Sequence, residues 1–396
     1  MPSVCLYFQV HQPCRLRRYS FFDVGCVHDY EDKTENRRIL DRVAEKCYLP
    51  AGDLLLELIE KYDGAFRIAF SLSGVLLDQL ERHRPDVLGI FQRLAATGCV
   101  EFLNETDSHS LAFLFSKREF RAQVLRHRER IRSLFGQEGR TFRNTELIYS
   151  DSLAAAVEKM GYRTILAEGT EKILGRRSPN LVYRPTGCKK LKLLLRNYRL
   201  SDDVAFRFSD RNWADYPLTA AKYAHWLHRI RGKETVVNLF MDYETFGEHQ
   251  WRETGIFEFL KALPGEILRH SEFRFQTPAE ASADGDKSRR EIACPDFISW
   301  ADEDRDTTAW MGNAMQQDAA GKLYAIEAAV RSRKDEGLLA IWRMLQTSDH
   351  LYYMCTKWFS DGDVHRYFNP YESPYEAYIN YMNIIDDLSQ LAKGKK

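Results

Sequence analysis

Short apolar runs recur along residues 3–276 and alternate with segments of helical periodicity. The pattern predicts eight strands, at residues 3–10, 66–72, 99–103, 141–144, 163–167, 191–195, 236–241 and 273–276. Almost wholly apolar strands are typical of parallel sheets, which helices cover on both faces. The alternation therefore predicts an α/β fold of parallel β/α units, either a barrel or a doubly wound sheet.

Polar clusters directly follow four of the predicted strands. They are His11-Gln12-Pro13, the stretch from Glu105 to His109, Glu146, and the stretch from Asp242 to His249. The carboxyl ends of parallel strands meet at one face of a barrel, where active sites form. We therefore expect the four clusters to lie together in one site.

Two acidic residues from different strands, Glu146 and Asp242, predict a glycosidase pair. In such a pair one carboxylate attacks the anomeric carbon and the other carboxyl group protonates the leaving oxygen. Asp242 directly ends a hydrophobic strand, so burial would favour its protonated form. Glu244 points the same way along an extended chain, and its negative charge would strengthen that effect.

Other interpretations of these residues stay open. Glu146 can form a surface salt bridge, His11 can be a buried core histidine, and Asp242 with Glu244 can cap the next segment. A metal site at His11, His109 and Asp242 lacks HxH or HExxH spacing. The sequence contains no GxSxG elbow, no GxGxxG after the first strand and no GxxxxGK[ST] loop, which disfavours serine hydrolases and nucleotide-binding folds.

The charge balance and the cysteines narrow the class of protein further. A formal net charge of zero and a pI near 7.2 give no reason to expect nucleic acid or a membrane as partner. The amino terminus has the features of a strand rather than a signal peptide, and no apolar run is long enough to span a membrane. The eight cysteines are scattered without a CxxC pair, which is typical of a cytoplasmic protein with reduced thiols.

Two further regions are predicted from composition. Between the first strand and residue 48 we expect a long irregular stretch that covers a site. Residues 281–288 predict a linker, after which helices are expected at 304–332, at 337–347 and from Ser373. The chain is therefore divided into a domain at 1–280 and a helical domain at 281–396 that packs on it.

The motifs also resemble those of a known family, glycoside hydrolase family 57, and above all its α-amylase-type members. His-Gln-Pro after the first strand, Glu146 after the fourth, and Met-Asp-Tyr-Glu-Thr-Phe-Gly-Glu-His at 241–249 carry the resemblance. Residues 295–306, followed by Trp310 and Gly312-Asn313, are similar to the family's fifth conserved region. Residues 345–350 and 361–365 are similar to its tail.

This resemblance implies an incomplete TIM-like (β/α)7 barrel at 1–280 and a C-terminal α-helical region that completes the cleft. One of the eight predicted strands would then be false or lie outside the barrel. The resemblance also implies a retaining mechanism on α-1,4-glucans or maltooligosaccharides, with no cofactor and no metal. It implies that Glu146 is the nucleophile and Asp242 the general acid/base, with Glu244 and His249 in supporting positions. His11 and His109 would line the sugar subsite beside the cleaved bond. Trp300 and Trp310 would shape glucose subsites, and Asp302 and Arg305 would form hydrogen bonds to the sugar.

Rival functions remain at this stage. A 4-α-glucanotransferase or branching enzyme would use the same pair but pass the intermediate to a sugar. A non-catalytic α-glucan-binding protein would use the aromatic groove alone, and a metal-dependent hydrolase or deacetylase would use a similar barrel. The sequence leaves the linkage preference and the oligomeric state open.

Overall fold

A computed structural model describes residues 2–230, 234–284, 290–357 and 369–394. Helices and strands alternate along these residues, so the predicted α/β class is confirmed. Ten strands lie in the described ranges: β1 Ser3–Val10, β2 Ile68–Leu72, β3 Val100–Phe102, β4 Thr141–Arg143, β5 Thr164–Glu168, β6 Val182–Pro185, β7 Lys192–Arg196, β8 Val236–Asp242, β9 Arg274–Phe275 and β10 Glu291–Ile292.

The strands form two five-stranded sheets. In the first sheet the order is β3-β2-β1-β8, with β9 beside β1, and every pair is parallel. In the second the order is β10-β6-β7-β5-β4, and only the β6–β7 pair is antiparallel. The register places Gln9 of β1 opposite Ser71 of β2 and Asp242 of β8, so their side chains reach the same end of the sheet.

Hydrogen bonds join the two sheets at both edges. Asn104, just after β3, forms two backbone hydrogen bonds with β4. Its amide donates to the Thr141 carbonyl (3.1 Å), and its carbonyl accepts from the Arg143 amide (2.9 Å). After β7, the Asn197 amide donates to the Asn238 carbonyl of β8 at 2.8 Å. The carboxyl ends of the parallel strands in both sheets therefore open toward one region.

Alternate residues of β1 pack into different clusters because successive side chains of a strand point to opposite faces. Val4, Leu6 and Phe8 join the large cluster between the first sheet and its helices. Cys5 and Tyr7 join a second cluster, which gathers buried side chains from six different strands: Cys5, Tyr7, Ala69, Leu166, Val182, Leu194, Val236 and Phe240. Burial on both faces explains why β1 is an unbroken apolar run.

The helices that connect the strands follow the predicted order. The longer ones before residue 285 are Lys33–Val43, Leu49–Lys61, Gly74–His83, Pro85–Ala96, Lys117–Phe135, Asp151–Lys159, Tyr198–Ala205, Ala220–His228, Ile256–Leu268 and Pro278–Asp284. The C-terminal helices are Thr308–Met311, Ala314–Ala325, Glu327–Ser332, Glu336–Met344, Ser348–Tyr352 and Pro374–Lys393. Within the described ranges, no helix is long and apolar enough to cross a membrane.

The structure confirms all eight predicted strands within a few residues at their ends. The sequence did not indicate β6 and β10, because β6 is short and carries Arg and Pro and β10 has only two residues. The predicted helix start at Ser373 is also confirmed, since the Ser373 side chain accepts a hydrogen bond from the Glu376 amide.

Three predictions were wrong in detail. The expected irregular stretch before residue 48 contains the helix Lys33–Val43, which Asp32 caps. Many charged residues lie between the apolar residues of this helix, so its helical periodicity was not evident from the sequence. The predicted linker at 281–288 begins inside the helix Pro278–Asp284, where Ala281 is buried, and residues 285–288 lie outside the described ranges. The predicted helix at 304–332 is three shorter helices, because Asn313 caps a new helix in its middle.

Buried ion pairs attach the C-terminal helices to the rest of the fold. Glu119, on the helix Lys117–Phe135, is fully buried and accepts hydrogen bonds from Arg343 (2.8 Å) and Arg331. Two helices of the C-terminal region therefore depend on one carboxylate.

We expect Glu119→Gln to lower the free energy of unfolding by about 3 kcal/mol, because it leaves two guanidinium groups without their buried carboxylate. Urea unfolding of both proteins measures the difference. Glu129→Gln is the matched control: its side chain lies on the same helix, is 64% exposed and should cost less than about 0.5 kcal/mol. Equal effects of the two substitutions would contradict the assigned role of Glu119.

Candidate active site

A cleft of about 600 Å³ opens at the carboxyl ends of the parallel strands. Residues that follow β1, β3, β4, β7 and β8 line it, together with residues of the C-terminal region. The structure brings eight of the nine predicted site residues to this cleft, together with the supporting residue His249: His11, His109, Glu146, Asp242, Glu244, Trp300, Asp302 and Arg305. The expectation that the four strand-end clusters meet is confirmed.

Glu146 lies in a single turn directly after β4, with a left-handed backbone (φ 55°). Its Oε1 is 2.9 Å from His109 Nε2, and its Oε2 accepts a 2.8 Å hydrogen bond from Trp300 Nε1. The side chain is 14% exposed, and its partner His109 is 1% exposed. Both carboxylate oxygens are thus held inside the cleft, which does not fit a surface salt bridge.

His109 connects Glu146 to a second acid. Its Nδ1 lies 2.7 Å from Oε2 of Glu105, which is fully buried. Burial lowers the pKa of His109, but the charges and hydrogen bonds of Glu105 and Glu146 outweigh it and raise that pKa to about 9. At neutral pH the ring is therefore a cation that donates a hydrogen bond to each carboxylate.

Glu105 is held by groups from four strand ends. It accepts hydrogen bonds from Ser71 Oγ at 2.5 Å and Gln9 Nε2 at 3.3 Å, and the Arg143 guanidinium lies 3.8 Å away. Burial alone would raise the pKa of Glu105, but His109 and Arg143 hold it well below its ordinary value. The carboxylate therefore stays ionised beneath the cleft.

His11 stacks on His109, with ring centroids 3.9 Å apart and an interplanar angle of 18°. Burial and the positive charge of His109 lower the pKa of His11, so its ring is neutral at neutral pH. Its Nε2 lies 2.9 Å from Oδ2 of Asp349, and its Nδ1 lies 2.6 Å from Oγ of Ser73. An ionised Asp349 accepts from Nε2–H, so the Ser73 hydroxyl donates to Nδ1.

Asp242 is the last residue of β8 and faces the cleft. Its side chain makes no capping hydrogen bond to the turn Tyr243–Thr245, so the capping interpretation of Asp242 is wrong. Glu244 is buried and accepts a 2.5 Å hydrogen bond from Tyr48. Burial first, and then the charge of Asp242, raise the pKa of Glu244 to about 8, so it is largely protonated at neutral pH. A neutral Glu244 does not supply the negative charge that we expected it to exert on Asp242.

Trp300 is surrounded by arginines as well as by Glu146. The guanidinium groups of Arg143 and Arg196 lie over its ring, 5.1 and 5.7 Å from the centroid. Arg305 donates a 2.5 Å hydrogen bond to the Trp300 carbonyl. The ring thus contacts cations of the protein, and its Nε1–H orients Glu146.

A second ion-pair cluster includes Arg196, which also lies over the Trp300 ring. Glu168, the last residue of β5, accepts hydrogen bonds from Arg196 (3.1 Å) and Arg305 (3.2 Å), and Arg196 also donates to Asp202 at 2.5 Å. Burial raises the pKa of Glu168, against the lowering effect of the two arginines. Arg305 therefore has a structural role in the cluster besides any contact with a ligand.

Left-handed backbone conformations concentrate at this site. Of seven such residues other than glycine in the described ranges, four line the cleft: His109, Glu146, Asp302 and Arg305, with φ of 48°, 55°, 43° and 49°. Each costs of the order of 1 kcal/mol, so the surrounding contacts must impose it. The strain aims the side chains of these four residues.

Two predicted features do not lie at the cleft. Trp310 is 1% exposed and packs in the core of the C-terminal helices, where it contacts Tyr352. Its expected place at a glucose subsite is therefore corrected to a core position. The similarity at residues 361–365 lies outside the described residues.

Sequence reasoning assigned no role to several residues of the site: Glu105, Arg143, Glu168, Arg196, Asp202 and Asp349. Glu105, Glu168 and Arg196 end or directly follow predicted strands, so their position was the available signal. Arg143 gave no local signal, because its partners are distant in the sequence. Asp349 lies in the stretch 345–350 that resembles the family's tail, but that resemblance assigned it no role. Within the described ranges, no group of three or more His, Cys, Asp and Glu side chains is arranged to hold a metal ion.

The parallel strands and the acidic cleft at their carboxyl ends define an α/β protein of the glycosidase type. Two carboxyl groups from different strands, with donors that orient one of them, are the parts that glycoside cleavage requires. The chain belongs to glycosyl hydrolase family 57, whose family model matches residues 5–294. The resemblance noted from the motifs is thereby confirmed.

Individual relatives support this placement. A curated protein named "Putative alpha-amylase" from Methanocaldococcus jannaschii is 43% identical over 98% of this chain and 84% of its own length. The crystal structure of a 4-alpha-glucanotransferase from Thermococcus litoralis superposes with a TM-score of 0.69 and 14% identity, over 88% of this chain and 56% of that enzyme. This chain thus spans little more than half of that enzyme's length.

A family branching enzyme from Thermococcus kodakaraensis superposes with a TM-score of 0.68 and 14% identity, over 90% of this chain and 86% of that one. At these identities the two solved structures establish the shared fold. Amylase, glucanotransferase and branching functions all occur among these relatives, so the family alone does not separate them.

The charged state of His109 should make stability depend on pH. Its pKa in the folded protein, about 9, exceeds the ordinary value of about 6.5, so its stabilisation is complete below pH 6.5 and is lost as the pH rises through 9. We expect the free energy of unfolding to fall by about 3 kcal/mol across that range. In His109→Gln this decrease should be absent, while His225→Gln, at an exposed histidine, should retain it. Parallel pH profiles of wild type and His109→Gln in urea unfolding would contradict the assignment.

Proposed function

We propose that the protein is a retaining glycoside hydrolase that cleaves α-1,4-glucans by double displacement through a covalent glycosyl-enzyme. One observation carries this proposal: Glu146 is held at both carboxylate oxygens, by His109 and Trp300, in the same cleft as Asp242. A fixed carboxylate and a second carboxyl group in one cleft are the requirements of this mechanism.

In the first step a Glu146 oxygen attacks the anomeric carbon of the bound glucan. The bond from that carbon to the glycosidic oxygen breaks, and Asp242, which takes up a proton when the bound glucan excludes water from the cleft, gives this proton to the oxygen. The two hydrogen bonds aim the carboxylate of Glu146 and prevent its rotation away from the sugar. A β-linked glycosyl ester of Glu146 and a shortened glucan result.

In the second step a water molecule enters where the leaving sugar was. Asp242, now a carboxylate, takes a proton from the water, whose oxygen attacks the anomeric carbon. The ester bond to Glu146 breaks and the carboxylate returns to His109 and Trp300. The His109 cation, 2.9 Å away, stabilises the negative charge that returns to Glu146 in this step.

We further propose that β1, β2, β3, β4, β5, β7 and β8 form an incomplete (β/α)7 barrel within residues 1–280, with β6, β9 and β10 outside it. The hydrogen bonds at Asn104 and Asn197 that join the sheets support this, and one cluster buries side chains of β1, β2, β5, β7 and β8 together. Val182 of β6 joins that cluster too, but we place β6 outside the barrel because it pairs with β7 in the antiparallel direction. Residues 281–396 would complete the cleft through Trp300 and Asp349. We place the protein in the cytoplasm because its eight cysteines are scattered without a CxxC pair, as is typical of proteins with reduced thiols.

A 4-α-glucanotransferase or branching enzyme is the second candidate, favoured by the two structural neighbours with these names. The same glycosyl-enzyme would then pass its sugar to another glucan instead of water. A product profile on amylose, glycogen and maltoheptaose separates the candidates. Gain of reducing ends indicates hydrolysis, and longer chains without that gain indicate transfer. Activity that survives EDTA removes the metal-dependent rival.

Glu146→Gln should lower kcat on maltoheptaose about a thousandfold or more, because an amide does not replace the attacking carboxylate. Asp242→Asn should lose comparable activity on maltoheptaose but retain more of the first step on 4-nitrophenyl α-maltoside, whose acidic leaving group needs little protonation. Burst kinetics measure that first step. Glu253→Gln, at an exposed position, is the control. Unchanged activity of Glu146→Gln would show that another group is the nucleophile, whereas absence of activity in the wild type would leave the non-catalytic, glucan-binding alternative.

The distance between the carboxyl groups of Glu146 and Asp242 tests the stereochemistry. Retention requires about 5–5.5 Å, whereas an inverting enzyme leaves room for water at about 6.5–9.5 Å. A crystal structure with a bound maltooligosaccharide gives the distance, and NMR of the first product gives its anomer. A separation near 9 Å with a β-anomeric product would overturn double displacement.

A further inference from the structure

The cleft carries an aromatic side chain that the proposed chemistry does not use. Phe206 lines the cleft and is 53% exposed, and of the eight strongly exposed large hydrophobic residues in the described ranges it is the one that lines this cavity. Exposed apolar area of this size is unfavourable in water and is typical of a binding surface.

The other aromatic residues of the cleft lining are already occupied. The Trp300 ring lies beneath two guanidinium groups, and the Tyr198 ring lies 5.2 Å from the Arg305 guanidinium carbon. Tyr353 is only 4% exposed. Phe206 is therefore the ring of the described lining that offers most of its face to a ligand.

A second exposed aromatic residue belongs to a segment that is fixed to the one carrying Phe206. Gln250 is buried, and its side-chain amide donates a 2.9 Å hydrogen bond to the Ala205 carbonyl, one residue before Phe206. The residue after Gln250 is Trp251, which is 58% exposed. The hydrogen bond thus joins the two residues that directly precede Trp251 and Phe206.

The helix Tyr198–Ala205, which Phe206 follows, is bonded to the strand that ends in Asp242: the Phe240 amide of β8 donates a 3.2 Å hydrogen bond to Ser201 Oγ. His249, which continues the chain from Asp242 toward Trp251, also lines the cavity. Glu146 is held instead by His109, which follows β3, and by Trp300 of the C-terminal region. In the proposed mechanism Asp242 must reach the glycosidic oxygen, so the departing sugar extends toward the Asp242 side.

We propose that Phe206, extended by Trp251, forms a stacking platform for the glucose units on the leaving-group side of the cleft. This inference rests on the proposed function and names the subsite that receives the leaving or acceptor chain. Pyranose rings present an apolar C–H face that packs against flat aromatic rings. A platform here would retain an acceptor after the first step and so increase the share of transfer over hydrolysis.

The test compares two substrates that both transfer an α-linked glucose chain to the enzyme but differ in the leaving group. Maltoheptaose places glucose units on the platform, whereas α-maltosyl fluoride releases only fluoride there. For Phe206→Ala, the ratio of kcat/KM on maltoheptaose to kcat/KM on α-maltosyl fluoride should fall about tenfold, as expected for one lost stacking contact. Trp251→Ala should reduce the ratio less, and Phe206→Tyr, which keeps the ring, should restore it.

Phe22→Ala removes a ring that is 88% exposed and lies outside the cleft, and should leave the ratio unchanged. With maltotriose added as acceptor, the fraction of transfer products should also fall in Phe206→Ala. Equal losses of kcat/KM on both substrates in Phe206→Ala, or no loss on maltoheptaose, would contradict the proposed platform.

Failure of the proposed function would be seen separately. If the wild-type protein cleaves neither substrate, the glycosidase proposal is wrong, and calorimetric binding of maltoheptaose then decides the platform. Binding by Phe206→Ala that is about tenfold weaker than wild type would support it, and equal binding would overturn it.

Discussion

The buried ion pair between Glu105 and His109 is the contact on which the rest of the site depends. Both side chains are almost completely inaccessible to water, and their separation is 2.7 Å. A buried carboxylate without its partner costs several kcal/mol, so neither group is tolerated alone. Through Ser71 and Gln9 the same carboxylate also fixes the ends of β2 and β1. The pair therefore couples the ends of β1 and β2 to the orientation of Glu146.

The stacked histidines show how one site maintains two protonation states of the same residue type. His109 lies between two carboxylates and is a cation, while His11 faces that cation and one carboxylate and is neutral. Two stacked imidazolium rings 3.9 Å apart would repel strongly in a buried setting. The single positive charge thus resides on the ring that contacts Glu146.

The sequence predicted the strands, the α/β class and the gathering of polar residues at the strand ends, because these depend on local periodicity and on the direction of parallel strands. It identified Glu146 and Asp242 as a pair for the same reason. It did not indicate that Trp310 is a core residue, since the residues around a tryptophan do not show whether its ring packs in a core or lines a sugar subsite. Nor did it indicate the contacts of Arg143 or Asp349, which depend on residues that meet only after folding. The protonation state of Glu244 depends on how far its carboxyl group is removed from water, which a sequence does not specify.

The cleft also depends on residues beyond the region that the family model matches. That match ends at residue 294, yet Trp300 orients Glu146 and Asp349 bonds to His11 from farther along the chain. Without these residues, one Glu146 oxygen and one His11 nitrogen would lose their partners inside the cleft. Glu119 and its two arginines hold the two helices that precede Asp349, Glu327–Ser332 and Glu336–Met344, against the α/β region. The geometry of the Glu146 carboxylate therefore depends on the whole described chain, because the α/β region supplies the acid and the C-terminal region restricts its orientation.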